Sequence, residues 1–193
     1  MIEHILQRFH EWDHLGTKSA DDGSRLVAHT PRDFPEAYLH AFFAPVSEDR
    51  WKACGLVLPP PLRQLYRECN GLSLFANSLA LDGIRAHYKR DASAQFQPFD
   101  LATHHEEYLL NHPKGLPEGA IFFGSYVREG SPIFMTPNDP QVHRVLRRSS
   151  RVVNSWPDLA TFLATEYDRL DLLFSRAGYL IDPKTPTTPK RAG

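Results

Sequence analysis

The run Leu58-Pro-Pro-Pro-Leu-Arg-Gln-Leu-Tyr-Arg-Glu-Cys-Asn-Gly71 constrains the fold more than any other segment of the chain. Pro60 or Pro61 suits the first turn of a helix, where a missing N–H leaves no bond unmade. Leu62, Leu65, Tyr66 and Cys69 then recur at i, i+3, i+4 and i+7, which is one buried helical stripe. Asn70 and Gly71 tolerate the left-handed conformation that stops a helix. The next residues, Leu72 to Ile84, are apolar and strand-like. A helix must therefore end at a fixed corner and feed directly into a sheet.

Periodicity supplies the remaining elements. Ile2, Ile5, Leu6, Phe9 and Trp12 share one face of a helix over 2–15, followed by a polar connection from Gly16 to Pro35. Phe34 to Phe43 and Ser47 to Cys54 read as short helices. Strands follow near 73–76 and 79–84, with a further one at 85–88. Asp100 is placed to cap a helix from Leu101 to Leu110, and a turn-rich link runs from Pro113 to Gly119. Alternation and β-branched content then predict strands at 120–126, 132–135, 142–147 and 151–154. Ser155-Trp-Pro-Asp158 has the form of a capping box. It would open a helix with Leu159, Phe162, Leu163, Tyr167 and Leu170 on one face. Pro183 to Gly193 is rich in proline, threonine and lysine and reads as disordered. These elements predict an α+β fold in which N-terminal helices and a C-terminal helix pack on one face of a mainly antiparallel sheet. The expected organisation is a single domain over 1–180, with residues 1–30 as its N-terminal helix and connection, and a tail over 181–193.

Charge narrows the function classes. The 193 residues carry 22 basic and 23 acidic side chains, a net charge of −1. A dedicated nucleic-acid binder usually shows a basic surplus, so nucleic acid is not the expected partner. No segment approaches the ~18 apolar residues of a membrane span, and the first ten residues lack the pattern of a secretory signal. A cytoplasmic location is expected. Cys54 and Cys69, the two cysteines, fit neither a redox pair nor a zinc ribbon.

Few side chains invite chemistry. His10-Glu11-Trp12-Asp13-His14 matches H-E-x-x-H, the zinc-hydrolase pattern in which two histidines one turn apart bind the ion and the glutamate acts as base. On a regular helix, however, both imidazoles lie away from the apolar stripe and face water. His104 and His105, with Glu106 and Glu107, point in directions about 100° apart and cannot converge on one ion, so we read them as a polar helix face. His112 and His143 stand alone. Arg144, Arg147, Arg148 and Arg151 form the basic cluster, expected on the solvent face of a hairpin. No Gly-x-Ser-x-Gly elbow and no glycine-rich phosphate cradle occur. No catalytic set, metal or cofactor is therefore predicted. Tyr126, Arg128 and Glu129 after one strand, and Asn138-Asp139 in the next turn, are the types of loop residue that anchor protein interfaces.

In order along the chain, Leu58, Pro59, Leu62, Leu65, Tyr66, Asn70 and Gly71, then Leu81-Asp-Gly-Ile84, Pro98-Phe-Asp-Leu101, Ala120-Ile-Phe-Phe-Gly124 and Trp156 to Leu163 resemble the motifs of the SUKH superfamily, in its Smi/Knr-type branch. The correspondence covers roughly residues 30–175. Members often follow Phe-Gly with a glycine-rich acidic turn, whereas this chain has Ser125-Tyr-Val-Arg-Glu-Gly-Ser131. The resemblance implies a non-catalytic protein-binding module. In bacteria such proteins are commonly immunity proteins that bind and neutralise a cognate toxin, as in toxin–antitoxin pairs. A Smi/Knr-like regulatory scaffold is the alternative, and a zinc-dependent hydrolase using His10, Glu11 and His14 a distant one. Tyr126, Arg128, Glu129 and Asp139 are the expected contact residues. Leu58, Pro59, Leu62, Tyr66, Asn70, Gly71 and Gly124 are expected to serve the fold.

Overall fold

The computed structural model describes residues 2–29, 38–89, 91–111 and 115–191. Helix α1 (Glu3–Phe9) passes into a 3-10 segment, His10–Leu15, and then into β1 (Thr17–Ser19), β2 (Arg25–His29) and β3 (Tyr38–Phe42). Helices α2 (Glu48–Ala53) and α3 (Pro60–Glu68) precede β4 (Leu72–Leu74) and β5 (Leu79–Leu81). A 3-10 turn, Ala92–Phe96, leads to α4 (Leu101–Asn111). Strands β6 (Ile121–Tyr126), β7 (Ser131–Thr136), β8 (Asp139–Val145) and β9 (Val152–Trp156) come next, and α5 (Leu159–Asp171) closes the series. Among the described residues the strands form one nine-stranded antiparallel sheet in chain order. The α+β architecture is thus the one expected.

The corner after α3 shows why glycines recur in this sequence. Leu62, Leu65, Tyr66 and Cys69 are all buried, as the stripe requires. Gly71 takes the left-handed region at φ 102, whereas Asn70 acts through its side chain. Its Oδ1 accepts the Ile84 N–H at 2.7 Å and its Nδ2 donates to the Ile84 carbonyl at 2.8 Å. This clasp brings backbone against backbone. A Cβ on Gly83 would lie 2.0 Å from the Asn70 carbonyl oxygen, and one on Gly71 2.6 Å from that of Leu81. One on Gly124 would lie 2.3 Å from the carbonyl oxygen of Ala80. Only glycine permits these three approaches.

The larger core joins α1, α3 and α5 to one face of the sheet, through Leu62, Leu65, Phe123, Ile133, Phe162 and Leu163 among others. Each such side chain contributes roughly 1.5–3 kcal/mol on burial. His40 lies within this core, stacked on Phe9 at 4.6 Å and edge-on to Phe75 at 4.5 Å. Burial pushes its imidazole down to about 3, so it stays neutral. A lone pair on its Nδ1 then accepts the Phe75 N–H.

Several expectations are corrected. The segment Gly16 to Pro35 is not a plain connection, because β1 and β2 lie within it. The helix expected over Phe34 to Phe43 is strand β3 from Tyr38 onward, while residues 30–37 lie outside the described residues. Tyr38-Leu-His-Ala-Phe42 pairs with β2 on one side and β4 on the other, and that pairing outweighs the local helical pattern. Residues 85–88 form no strand. Helices do not cover a single face: Phe122, Phe134 and Val145 point to the opposite side, where Tyr108 of α4 packs against them. Ser155 does not cap α5, since it sits in β9 paired with His143. Asp158 does so instead, its Oδ1 accepting the Thr161 N–H at 2.7 Å. Residues 182–191, disordered by composition, are laid against the molecule. Thr187 and Thr188 are buried, the Arg169 guanidinium donates to the Thr187 carbonyl at 2.6 Å, and Asn154 donates to the Lys190 carbonyl at 2.9 Å.

Candidate partner-binding cleft

Helix α4 is fixed at its start by Asp100, whose Oδ1 accepts the Thr103 N–H at 2.9 Å. The Leu101 N–H also donates to the Gly83 carbonyl, tying the helix to the Asn70 corner. Leu101, His105 and Tyr108 fall at i, i+4 and i+7 and turn toward the sheet. His105 is therefore buried, its Nδ1 accepting the Phe122 N–H at 3.3 Å, and burial lowers its pKa. The predicted polar face for this pair of histidines is corrected accordingly.

His104 points elsewhere. Its Nδ1 lies 3.3 Å from Oδ1 of Asp82, a carboxylate with no exposed surface. The ring stacks on Phe99 at 5.3 Å. The close approach of the Asp82 carboxylate raises the His104 pKa against the effect of burial. Burial raises that of Asp82 in turn, with His104 opposing. Since Nδ1 is turned inward, the quarter of the side chain that remains exposed presents its far edge outward.

That edge enters a polar cleft of about 320 Å³ between α4, the β6–β7 turn and the β8–β9 turn. Glu107 and Tyr108 line one wall, Arg128 and Glu129 the second, Arg147 and Arg148 the third. The turns are ordered by their own backbone bonds, Glu129 N–H to the Tyr126 carbonyl and Ser149 N–H to that of Leu146. The Arg147 stem crosses the first turn so closely that a Cβ on Gly130 would lie 3.3 Å from its Cδ. Arg128, Glu129, Arg147 and Arg148 are all exposed. Three guanidinium groups and His104 face two carboxylates, a balance that favours an acidic partner surface.

The structure brings Arg128 and Glu129 together here but separates them from the other two expected contacts. Tyr126 is fully buried, its hydroxyl facing Glu166; burial, then that carboxylate, pushes the phenol well above its ordinary value. The bulge between Phe122 and Gly124 sets the phase that turns it inward. Asp139 is the first residue of β8, paired with Thr136 across the β7–β8 turn, and it accepts the Gln141 N–H. Arg144 is not on a solvent face either. It is buried, donates to Asn154 at 2.8 Å, and lies 5.7 Å from the centre of the Tyr126 ring. His104 was missed as a cleft residue because its partner, Asp82, is remote in sequence.

The H-E-x-x-H segment adopts 3-10 rather than α geometry. At three residues per turn, His10 and His14 are roughly 120° apart instead of nearly eclipsed. His10 pairs with Asp13 at 2.8 Å, and both ring nitrogens of His14 face carbonyl oxygens, those of Glu11 and Arg176. Glu11 is held by Arg176 at 3.3 Å. Among the described residues no cluster of histidine, cysteine and carboxylate side chains could hold a metal ion, and no helix is long and apolar enough to cross a membrane. His143 binds Ser155 at 2.8 Å, while His112 lies outside the described residues. Cys69 is buried, which pushes its thiol up to about 12.

No curated protein and no solved structure matches the chain. The model of the SMI1 / KNR4 family (SUKH-1) matches residues 48–165. The match opens at α2, ends within α5, and contains the Asn70 corner, Gly83, Gly124 and the whole cleft. Well over half of the sequence is covered, and the chain belongs to the SMI1 / KNR4 family, SUKH-1.

Proposed function

We propose that this chain is a protein-binding module that acts by contact rather than chemistry, as an immunity protein that binds and neutralises a cognate toxin in the cytoplasm. The observation that carries this is the convergence of two rigid, charge-bearing turns beside α4, which places Arg128, Glu129, Arg147 and Arg148 around one cleft. Arginine anchors on ordered loops lose little conformational freedom on binding. The positive balance would steer an acidic partner face onto the cleft and speed association. Family membership supports a protein partner. Engagement of His10, His14 and His105 by their own neighbours supports a role without catalysis.

The test is rescue by co-expression with a toxin domain encoded beside the gene. Wild type should restore growth, and Arg128→Glu with Arg147→Glu and Arg148→Glu should lose rescue while remaining folded. Failure of folded wild type to rescue would refute the immunity role.

A further inference from the structure

A second surface, sharing no lining residue with the cleft, lies between α2, the 55–58 loop and α3. It is a groove of about 360 Å³ whose floor is Trp51, Leu56, Leu58 and Tyr66. This volume is near the small end for ligand pockets, room for an anchoring side chain rather than a large cofactor. The floor is rigid. Trp51 stacks on Tyr66 at 4.1 Å, and the Tyr66 hydroxyl donates to the Asp82 carbonyl at 2.9 Å. At the rim Val57 is 77% exposed, an apolar side chain given to water with no packing in return.

The charges around the groove are unequal. Lys52 is answered on its own helix by Glu48, 3.5 Å away. Arg63 and Arg67 are four residues apart on the exposed side of α3, and neither is ion-paired among the described residues. An apolar floor beside two uncompensated guanidinium groups suits a segment with one large apolar side chain flanked by carboxylates.

We propose that this groove docks an acidic peptide segment of a partner protein, with an apolar anchor over Trp51 and Tyr66 and carboxylates on Arg63 and Arg67. The groove does not depend on the cleft's role, and either site can fail alone.

The test is to pan a library of displayed short peptides against the full chain, then measure a synthetic copy of the enriched sequence by titration calorimetry. Enriched peptides should place Asp or Glu beside Leu, Phe or Trp. Affinity should fall about tenfold or more with Arg63→Glu/Arg67→Glu, which replaces two attractive charge contacts by repulsive ones. Val57→Asp should weaken binding comparably, and Arg147→Glu/Arg148→Glu should leave it unchanged. If the reversal variant does not fold, Arg63→Gln/Arg67→Gln takes its place, with a smaller loss expected. Absence of enrichment, basic enriched peptides, or affinity indifferent to Arg63 and Arg67 would each overturn the proposal. So would a dimer in sedimentation that Val57→Asp dissociates, since a second copy would then be the occupant.

Discussion

Replacing Gly83 by alanine adds one methyl group and should cost about as much as truncating a core side chain. The new Cβ would sit 2.0 Å from the Asn70 carbonyl oxygen and 2.7 Å from its Oδ1, against an ordinary contact of 3.4 Å or more. Backbone atoms must therefore separate by more than 1 Å. Gly83 is not left-handed, so alanine itself suits its dihedrals and the cost is steric. Separation breaks both clasp bonds between Asn70 and Ile84, about 1 kcal/mol each. Forced displacement adds about 1–3 kcal/mol. The lower entropy of the unfolded alanine chain returns about 0.4–1 kcal/mol. The net loss is about 2–4.6 kcal/mol, or roughly 4–18 °C in Tm at this size.

Gly55→Ala separates sterics from conformation. Nothing lies within 4 Å of a Cβ there, but φ is 74, so only left-handed strain of about 1–2 kcal/mol applies. Thermal scans and urea denaturation of both variants give the comparison. A Gly83→Ala protein within about 2 °C of wild type, with Gly55→Ala the less stable of the two, would refute the close-approach explanation.

The Asp82–His104 pair predicts a pH dependence, because both groups have folded values raised above their ordinary ones. A raised histidine contributes stability that is complete below its ordinary value of 6.5 and is lost as pH rises through the folded value. The raised carboxyl acts in the same direction, favouring the folded state at lower pH. Urea midpoints should fall as pH rises above about 6.5, and Asp82→Asn should flatten that decline. An equal decline in Asp82→Asn would rule the pair out as its source. His104→Ala should lower stability at about pH 6 by roughly 1–3 kcal/mol, by leaving a buried carboxyl group without its partner. Asp158→Ala should cost about 1 kcal/mol through the lost α5 cap, read from the same denaturation curves, whereas Ser155→Ala should not match it. Deletion of residues 182–193 should lower Tm measurably, since it strips cover from Arg169 and Asn154; an unchanged Tm would show that the packed tail adds no stability.

The parts of the fold legible in the sequence were those whose cause is local. The α3 stripe, the Asp100 cap and strands β6 to β9 follow from spacing within about ten residues, and all are present. The N-terminal half was harder. β1 has three exposed residues and is an edge strand paired with β2, so nothing in Thr17-Lys-Ser19 announces a strand. β3 became a strand because two partners flank it. Three consecutive non-glycine residues in the left-handed region, Phe75, Ala76 and Asn77, turn β4 into β5. The sequence signals no glycine there. The loop residues divided for a similar reason: Arg128 and Glu129 lie beyond the end of β6, but the bulge within that strand rotates Tyr126 into the core.

From sequence alone came the element types, the corner at Asn70-Gly71, the family resemblance and the types of side chain fit for recognition. Helical and strand periods, caps and stops act over a few residues, so they are written along the chain. Tertiary structure decided which charges meet. Asp82 and His104, or Arg128 and Arg147, are about twenty residues apart and come together only when the antiparallel sheet folds turn against helix. Burial decided the rest, making Arg144 and His105 internal partners and leaving Arg63 and Arg67 exposed, because solvent exposure belongs to the packed surface and to no local run of residues.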